Sequence, residues 1–348
     1  MSQPSTAQAV VLAAGLSKRM KSRRVKVLHP LCGRPMILHV LESLRQAGVE
    51  RIILVIGNQG DLVQQVVGAD VLFAVQPEPL GTGDAVRQAL PLLDPAQDVL
   101  VTYGDTVLFR PETFRQLVDH HRRRAAAATL LSAYFDDPHG YGRVIRDAEG
   151  RFRAIVEEKD TSPEQQQIHE INTGTYCFTV RALQQTLPQL KPQNAQGEYY
   201  LTDVFSLLQV SGEPIEAIPV PDPTEAYGIN DRIQLAQAEA VLRERIRRHW
   251  QEEGVTLVDP PTIRIDPDVE IGLDTIIEPN TWLARGTRVG EGCHIGPWAY
   301  LEGVTLEAGQ AIAFTVCRGA RGKAQPWPPL MPGRQGPSGS GDARGKGD

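Results

Sequence analysis

Two cations follow a run of small residues near the amino terminus. In Leu12-Ala13-Ala14-Gly15-Leu16-Ser17-Lys18-Arg19-Met20 and Lys26-Val27-Leu28-His29-Pro30, Arg19 and Lys26 flank a turn of nearly bare backbone. Backbone N–H groups beside fixed cations can bind and polarise a chain of phosphates. The same residues also fit an ordinary strand–turn–helix with solvated basic side chains. Other chemistry-bearing groups recur: Gln76 with Leu80-Gly81-Thr82-Gly83, Tyr103-Gly104-Asp105, Gly140-Tyr141-Gly142-Arg143, Glu157-Glu158-Lys159-Asp160, Glu170-Ile171-Asn172, and Gly228-Ile229-Asn230. Each has a plain alternative. Asp105 fits a helix or turn cap, Asn230 an N-cap, the glycine pairs loops and turns, and Glu157 to Lys159 a solvated hairpin face.

The elements that must position these groups are short aliphatic runs alternating with amphipathic stretches, the signature of a mostly parallel sheet covered on both faces. Ala9–Ala14, Arg51–Ile56, Val71–Val75 and Val99–Tyr103 read as strands. Met36–Ala47 reads as a helix with Pro35 in its first turn and Gly48 at its C-cap. Ligands of open α/β sheets sit beyond the carboxyl ends of the strands. Ala13-Ala14-Gly15, Gln76 and Gly104-Asp105 all fall there, so the spacing predicts one crevice.

A charged helix follows at 231–252, with Leu235, Leu242, Ile246 and Trp250 on one face. Ile265, Ile271, Ile277, Leu283, Val289, Ile295 and Leu301 then recur every sixth residue, the hexapeptide period of a parallel β-helix. The register ends after Leu301, with an echo at Leu306 and Ile312 before it stops. From Arg318 to Asp348, 13 of 31 residues are Gly or Pro and six are basic against two acidic, so this tail reads as disordered. Its abrupt change of composition is what a reading-frame change would produce. The expected organisation is a disordered 1–7, an α/β domain over 8–230, a linker helix over 231–252, a truncated β-helix over 253–317 and a disordered 318–348.

With 41% apolar and 22% charged residues the chain has the composition of a soluble globular protein, and its net charge of −6 argues against nucleic acid as a partner. The four cysteines are scattered and the eight histidines form no metal-ligand spacing. No apolar run approaches the roughly 18 residues of a membrane span, and no basic stretch precedes an apolar one as in a secretory signal. The expected location is the cytoplasm, with no membrane partner.

The ordered motifs, together with Asn194-Ala195-Gln196-Gly197-Glu198-Tyr199-Tyr200-Leu201-Thr202-Asp203, resemble the bacterial N-acetylglucosamine-1-phosphate uridylyltransferases over about residues 8–305. These form the N-terminal half of a bifunctional enzyme. The resemblance implies a Rossmann-like, doubly wound nucleotidyltransferase domain followed by a short left-handed parallel β-helix. It implies UTP and N-acetylglucosamine 1-phosphate as substrates and Mg²⁺ as cofactor. Asp105 and Asn230 would hold the metal, and Arg19 and Lys26 would be catalytic, neutralising the triphosphate and departing pyrophosphate. Leu12, Ala13, Ala14, Gly15, Thr82, Tyr103 and Gly104 would line the nucleotide, Gln76 and Gly81 would read the uracil edge, and Gly142, Glu157 and Asn172 would hold the sugar.

Several residues depart from the family's pattern. Ser17 and Lys18 stand where it usually has Gly and Thr, Val25 and Val107 where it has Pro, and Asp84 where it commonly has His; a changed nucleotide affinity is the most expected of Asp84. The family's remaining coils build an acetyl-coenzyme A site between subunits of a trimer. Acetyltransferase activity is therefore expected to be absent, and a homotrimer through the residual coils to be weakened. Two alternatives stay open: a related enzyme using glucose 1-phosphate with UTP or dTTP, and a catalytically silent regulatory relative.

Overall fold

The structure is a computed structural model that describes residues 7–15 and 18–319. Ser17, the side chain of Lys18, residues 1–6 of the expected disordered start and 320–348 of the expected tail lie outside the described residues. Contacts divide the chain into two units, Met1–Glu244 and Arg245–Asp348.

In the first unit the strands are β1 (Gln8–Ala13), the short hairpin β2 (Pro30–Leu31) and β3 (Arg34–Pro35), β4 (Arg51–Ile56), β5 (Leu72–Val75) and β6 (Asp98–Tyr103). They continue with β7 (Ala128–Tyr134), β8 (Arg143–Arg146), β9 (Phe152–Val156), β10 (Glu170–Thr179) and β11 (Ile215–Pro219). Among the described residues, nine of these form one sheet in the order β11-β7-β10-β6-β1-β4-β5, with the β8–β9 hairpin attached to β10. β5, β4, β1 and β6 are parallel neighbours. β10 runs antiparallel between β6 and β7, and β11 lies parallel to β7.

The helices are α1 (Met36–Gln46), α2 (Gly60–Val67), α3 (Thr82–Ala89), α4 (Pro111–Arg123), α5 (Pro163–Gln166), α6 (Val180–Thr186), α7 (Asp203–Val210) and α8 (Arg232–Glu252). Successive strand residues feed two cores. Val11, Leu54 and Ile56 pack with Ile37, Leu41 and Leu44 of α1, whereas Val10, Ile53 and Val101 pack with Val86 of α3, Leu183 of α6 and Phe205 of α7. Burial of both faces is why the central strands read as unbroken apolar runs. Pro35 is not in the first turn of α1 as the sequence predicts. It is the N-cap, with φ −53° and ψ 138°, because it still pairs with Pro30 in the β2–β3 hairpin. The other end closes one residue earlier than the sequence predicts: Ala47 is the C-cap, and Gly48 follows it at φ +90°, its N–H donating to Arg45 O at 2.9 Å and Val49 N–H to Leu44 O at 3.1 Å.

The second unit is the parallel β-helix. Ile265 pairs with Leu283 and Leu283 with Leu301, two steps of 18 residues, while Ile271 stacks on Val289 and Ile277 on Ile295. All seven residues of the period are at most 9% exposed, so the inward stack is continuous. The pattern does not stop after Ile312. Leu306 pairs with Val289, Ile312 with Ile295 and Cys317 with Leu301, steps of 17, 17 and 16 residues. Shortened corners break the six-residue count while keeping each inward position filled. The last strand, Thr315–Arg318, therefore takes in Arg318, the first residue assigned to the tail.

Candidate active site

Three of the four parallel strands, β1, β5 and β6, deliver the expected residues to one edge. Beyond β1, Ala14 is partly buried and Gly15 exposed, with nothing within 4 Å of where a Cβ would stand. Gly104 N–H donates to Leu12 O at 2.9 Å and Gln76 N–H to Ile56 O at 2.8 Å, so the chain leaves β6 and β5 still tied to its neighbours. Tyr103 is the last residue of β6, and Asp105 lies two residues on.

At this edge Lys26, on the short helical turn Lys26–Leu28, donates from Nζ to Asp105 Oδ2 and to Asn230 Oδ1, the latter at 2.8 Å. The Lys26 and Asp105 side chains are only 15% and 16% exposed, so the pair is shielded from bulk water. Asn230 is not the cap of α8. Asp231 takes that part, its Oδ1 accepting from Ile233 N–H at 2.9 Å and Gln234 N–H at 2.8 Å, which leaves the Asn230 side chain free to reach Lys26. Tyr141 closes the group by accepting from Gly228 N–H at 3.3 Å. Burial pushes its phenol above the ordinary value, the Gly228 N–H opposes, the Asp105 charge adds and the Arg19 charge opposes. Arg19 itself is exposed on the turn Lys18–Met20. The structure thus gathers Lys26, Asp105 and Asn230 by contact, with Arg19 within electrostatic reach of the same tyrosine.

Past β5, Gln76 is 5% exposed and donates from Nε2 to Gly81 O at 3.0 Å and to Asp84 Oδ2 at 2.9 Å. Gly81 has φ +116°, and a Cβ there would lie 2.6 Å from Tyr199 O, so the position admits glycine alone. The stretch 194–203 braces this turn. Tyr199 N–H donates to Leu80 O at 2.8 Å, Gly83 N–H to Tyr199 O at 2.8 Å and Leu201 N–H to Thr82 Oγ1 at 3.0 Å. On its other side the same stretch holds 157–160. Thr202 Oγ1 donates to Glu157 Oε1 at 2.9 Å, Lys159 Nζ to Gln196 Oε1 at 2.8 Å and Ala195 N–H to Asp160 Oδ1 at 3.0 Å.

Glu157 is therefore no solvated hairpin face. Burial holds its carboxyl above the usual range, Thr202 opposes, and Asp160, Asp203 and Glu198 add to the rise. Gly142 lies beside it, a Cβ there being 3.4 Å from Glu157 Oε2, and Gly142 O accepts from Asn172 N–H at 2.8 Å. Asn172 sits at the break in β10 register between Asn172 and Tyr176, where its Nδ2 donates to Tyr176 Oη at 2.8 Å and its Oδ1 accepts from Gly174 N–H at 3.1 Å. Gly174, at φ +77°, lies against the Tyr103 ring, and that ring's phenol is driven up chiefly by burial. Sequence reasoning named Gly142, Glu157 and Asn172 but assigned no role to Thr202, Gln196 or Tyr176. Only the density of polar residues in 194–203 hinted at Thr202 and Gln196, and Tyr176 on β10 carried no such signal.

Residues 9–201 match the profile of the MobA-like NTP transferase domain. The bifunctional protein GlmU of Geobacillus sp. WCH70 is 46% identical over 309 residues, covering 88% of this chain and 67% of that protein. The Heliobacterium modesticaldum protein of the same name is 49% identical over 290 residues, covering 83% of this chain and 63% of its own length. That of Brevibacillus brevis is 42% identical over 336 residues, at 95% and 73%. The chain thus spans between 63% and 73% of these relatives. A crystal structure of a provisionally named glucose-1-phosphate thymidylyltransferase from Bacillus anthracis, in complex with sucrose, superposes with a TM-score of 0.57 at 22% identity. It covers 69% of this chain and 96% of that one, and it shows the shared fold. No described helix is long and apolar enough to cross a membrane.

Proposed function

Since the chain belongs to the MobA-like NTP transferase family, alongside the GlmU proteins, and is a nucleotidyltransferase, we propose that it transfers UMP from UTP to N-acetylglucosamine 1-phosphate, releasing pyrophosphate. The observation that carries this reading is the meeting of Lys26 with Asp105 and Asn230 at the carboxyl ends of β1 and β6. A phosphate oxygen of the sugar attacks the α-phosphorus, and the bond to pyrophosphate breaks as the new P–O bond forms. Such a reaction asks for positioning and charge neutralisation rather than covalent help. Lys26 and Arg19 supply positive charge to the triphosphate and the leaving group. Gln76 and Gly81 orient the base, and Glu157 and Asn172 accept from and donate to the sugar's polar groups.

A divalent cation fits the donor set. The Asp105 carboxylate and Asn230 carbonyl oxygen already converge on one cation, the Lys26 ammonium. Among the described residues no three His, Cys, Asp or Glu side chains gather around one point. Two oxygen donors suit Mg²⁺, which keeps waters and takes phosphate oxygens as further ligands. When bound, it supplies charge stabilisation to the phosphates.

The test is pyrophosphate release with a matrix of UTP, dTTP, CTP and ATP against N-acetylglucosamine 1-phosphate and glucose 1-phosphate. Turnover fastest with UTP and the amino-sugar phosphate, and lost in Asp105→Ala, supports the proposal. Equal rates with glucose 1-phosphate would move the reading to a related sugar-phosphate enzyme. Silence with every pair from a folded sample would refute catalysis.

A further inference from the structure

Gln76 carries an amide whose two ends are chemically opposite, two N–H donors on Nε2 and an acceptor on Oε1. Which end faces a ligand decides which bases are welcome. Here the orientation is dictated by partners that can only accept. Nε2 lies 3.0 Å from the carbonyl oxygen of Gly81 and 2.9 Å from Oδ2 of Asp84. Turning the amide over would set Oε1 against a carbonyl oxygen and a carboxylate at once.

We propose that Asp84 is a specificity-determining residue that locks the Gln76 amide with Oε1 as its one end left for the nucleobase. The inference rests on reading this edge as the nucleotide site. Asp84 is itself held from several sides. It is 5% exposed, in the first turn of α3, and its Oδ1 receives Gln88 Nε2 at 3.3 Å and faces Arg87 Nη1 at 3.6 Å. Among the described residues neither Gln76 Oε1 nor the Gly81 N–H has a hydrogen-bond partner, so an acceptor and a donor remain on two groups already joined to one another. Uracil and thymine present an N3–H donor between carbonyl acceptors. They can give the hydrogen to Oε1 and offer a carbonyl to an N–H. Cytosine and adenine present a ring-nitrogen lone pair at the matching place, which meets Oε1 as like against like. The lock therefore selects bases with an imide N–H, and Asp84 contributes to that selection without touching the base. The departure at Asp84 thus acquires a chemical role through its pairing with a residue eight positions earlier.

The experiment compares wild type with Asp84→Ala and the isosteric Asp84→Asn. It reads the ratio of Kd values for CTP and UTP, with Mg²⁺ and without sugar phosphate, by titration calorimetry, and the corresponding kcat/KM ratio where turnover occurs. Circular dichroism checks that α3 is retained. Removing a hydrogen bond to a charged partner should cut the preference for UTP over CTP by about tenfold in Asp84→Ala. The drop should be smaller in Asp84→Asn, whose oxygen can still accept from Nε2. Because binding is read without an acceptor, a wild type that fails to use N-acetylglucosamine 1-phosphate would refute the reaction and leave the Kd ratio to judge Asp84. A ratio unchanged in both variants, or UTP and CTP weakened in parallel, overturns the lock.

Discussion

Lys26→Met separates two effects that a single cation combines. The Lys26 ammonium occupies the space between Asp105 and Asn230, and the Lys26 and Asp105 side chains are only 15% and 16% exposed. A divalent cation that uses those oxygens must first take them from Lys26. Hydrogen bonds to charged groups contribute about 1.5–3 kcal/mol, so deleting the ammonium should tighten Mn²⁺ or Mg²⁺ binding to the nucleotide-free protein by about 10- to 100-fold. Turnover should move the other way. Loss of one preorganised donor to developing phosphate charge costs about 10²- to 10³-fold. Mn²⁺ binding by electron paramagnetic resonance or calorimetry reads the first effect, and pyrophosphate release at saturating metal reads the second. Methionine keeps the aliphatic stem, so packing beside Val27 is little disturbed. Metal binding that is unchanged or weaker in the variant would refute the view that ammonium and metal share one seat.

Glu157→Gln should be more stable to urea than wild type near about pH 8, because burial raises the native carboxyl and the native fold then bears a desolvated charge. That penalty is fully relieved once pH falls below the ordinary carboxylate value, so the two proteins should converge near about pH 4 while the variant loses sugar affinity throughout. Gly81→Ala should lower nucleotide affinity at least tenfold in an ultrafiltration assay, since its Cβ would stand 2.6 Å from Tyr199 O. Ile295→Ala, at a fully buried position of the β-helix, should cost about 2–5 kcal/mol in denaturant melts.

The sequence made the central strands legible because both their faces are buried, and the repeat legible because one inward position recurs. Ala13, Gln76 and Asp105 could be brought together from strand ends alone. The alternatives for Asn230 could not be separated that way, because Asp231 beside it is an equally good cap and only the Lys26 contact decides between them. Thr202 is hidden for a similar reason: its partner Glu157 lies 45 residues away, and no local period connects them. β10 was harder still, since its antiparallel insertion between β6 and β7 and its break at Asn172 are set by neighbours distant in the chain. The coil count after Leu301 misled because it tracked residue number rather than the inward position that number served.

That distinction has a practical consequence for the solenoid. Its corners between Leu301 and Leu306 and between Ile312 and Cys317 are each one residue shorter than the six-residue rule, yet the rungs above and below stay aligned. Length changes are thus absorbed where the polypeptide bends. A one-residue deletion confined to an exposed bend should be tolerated, whereas the same deletion inside a rung would swap an aliphatic side chain from interior to water. The coil is editable, but only at its hinges.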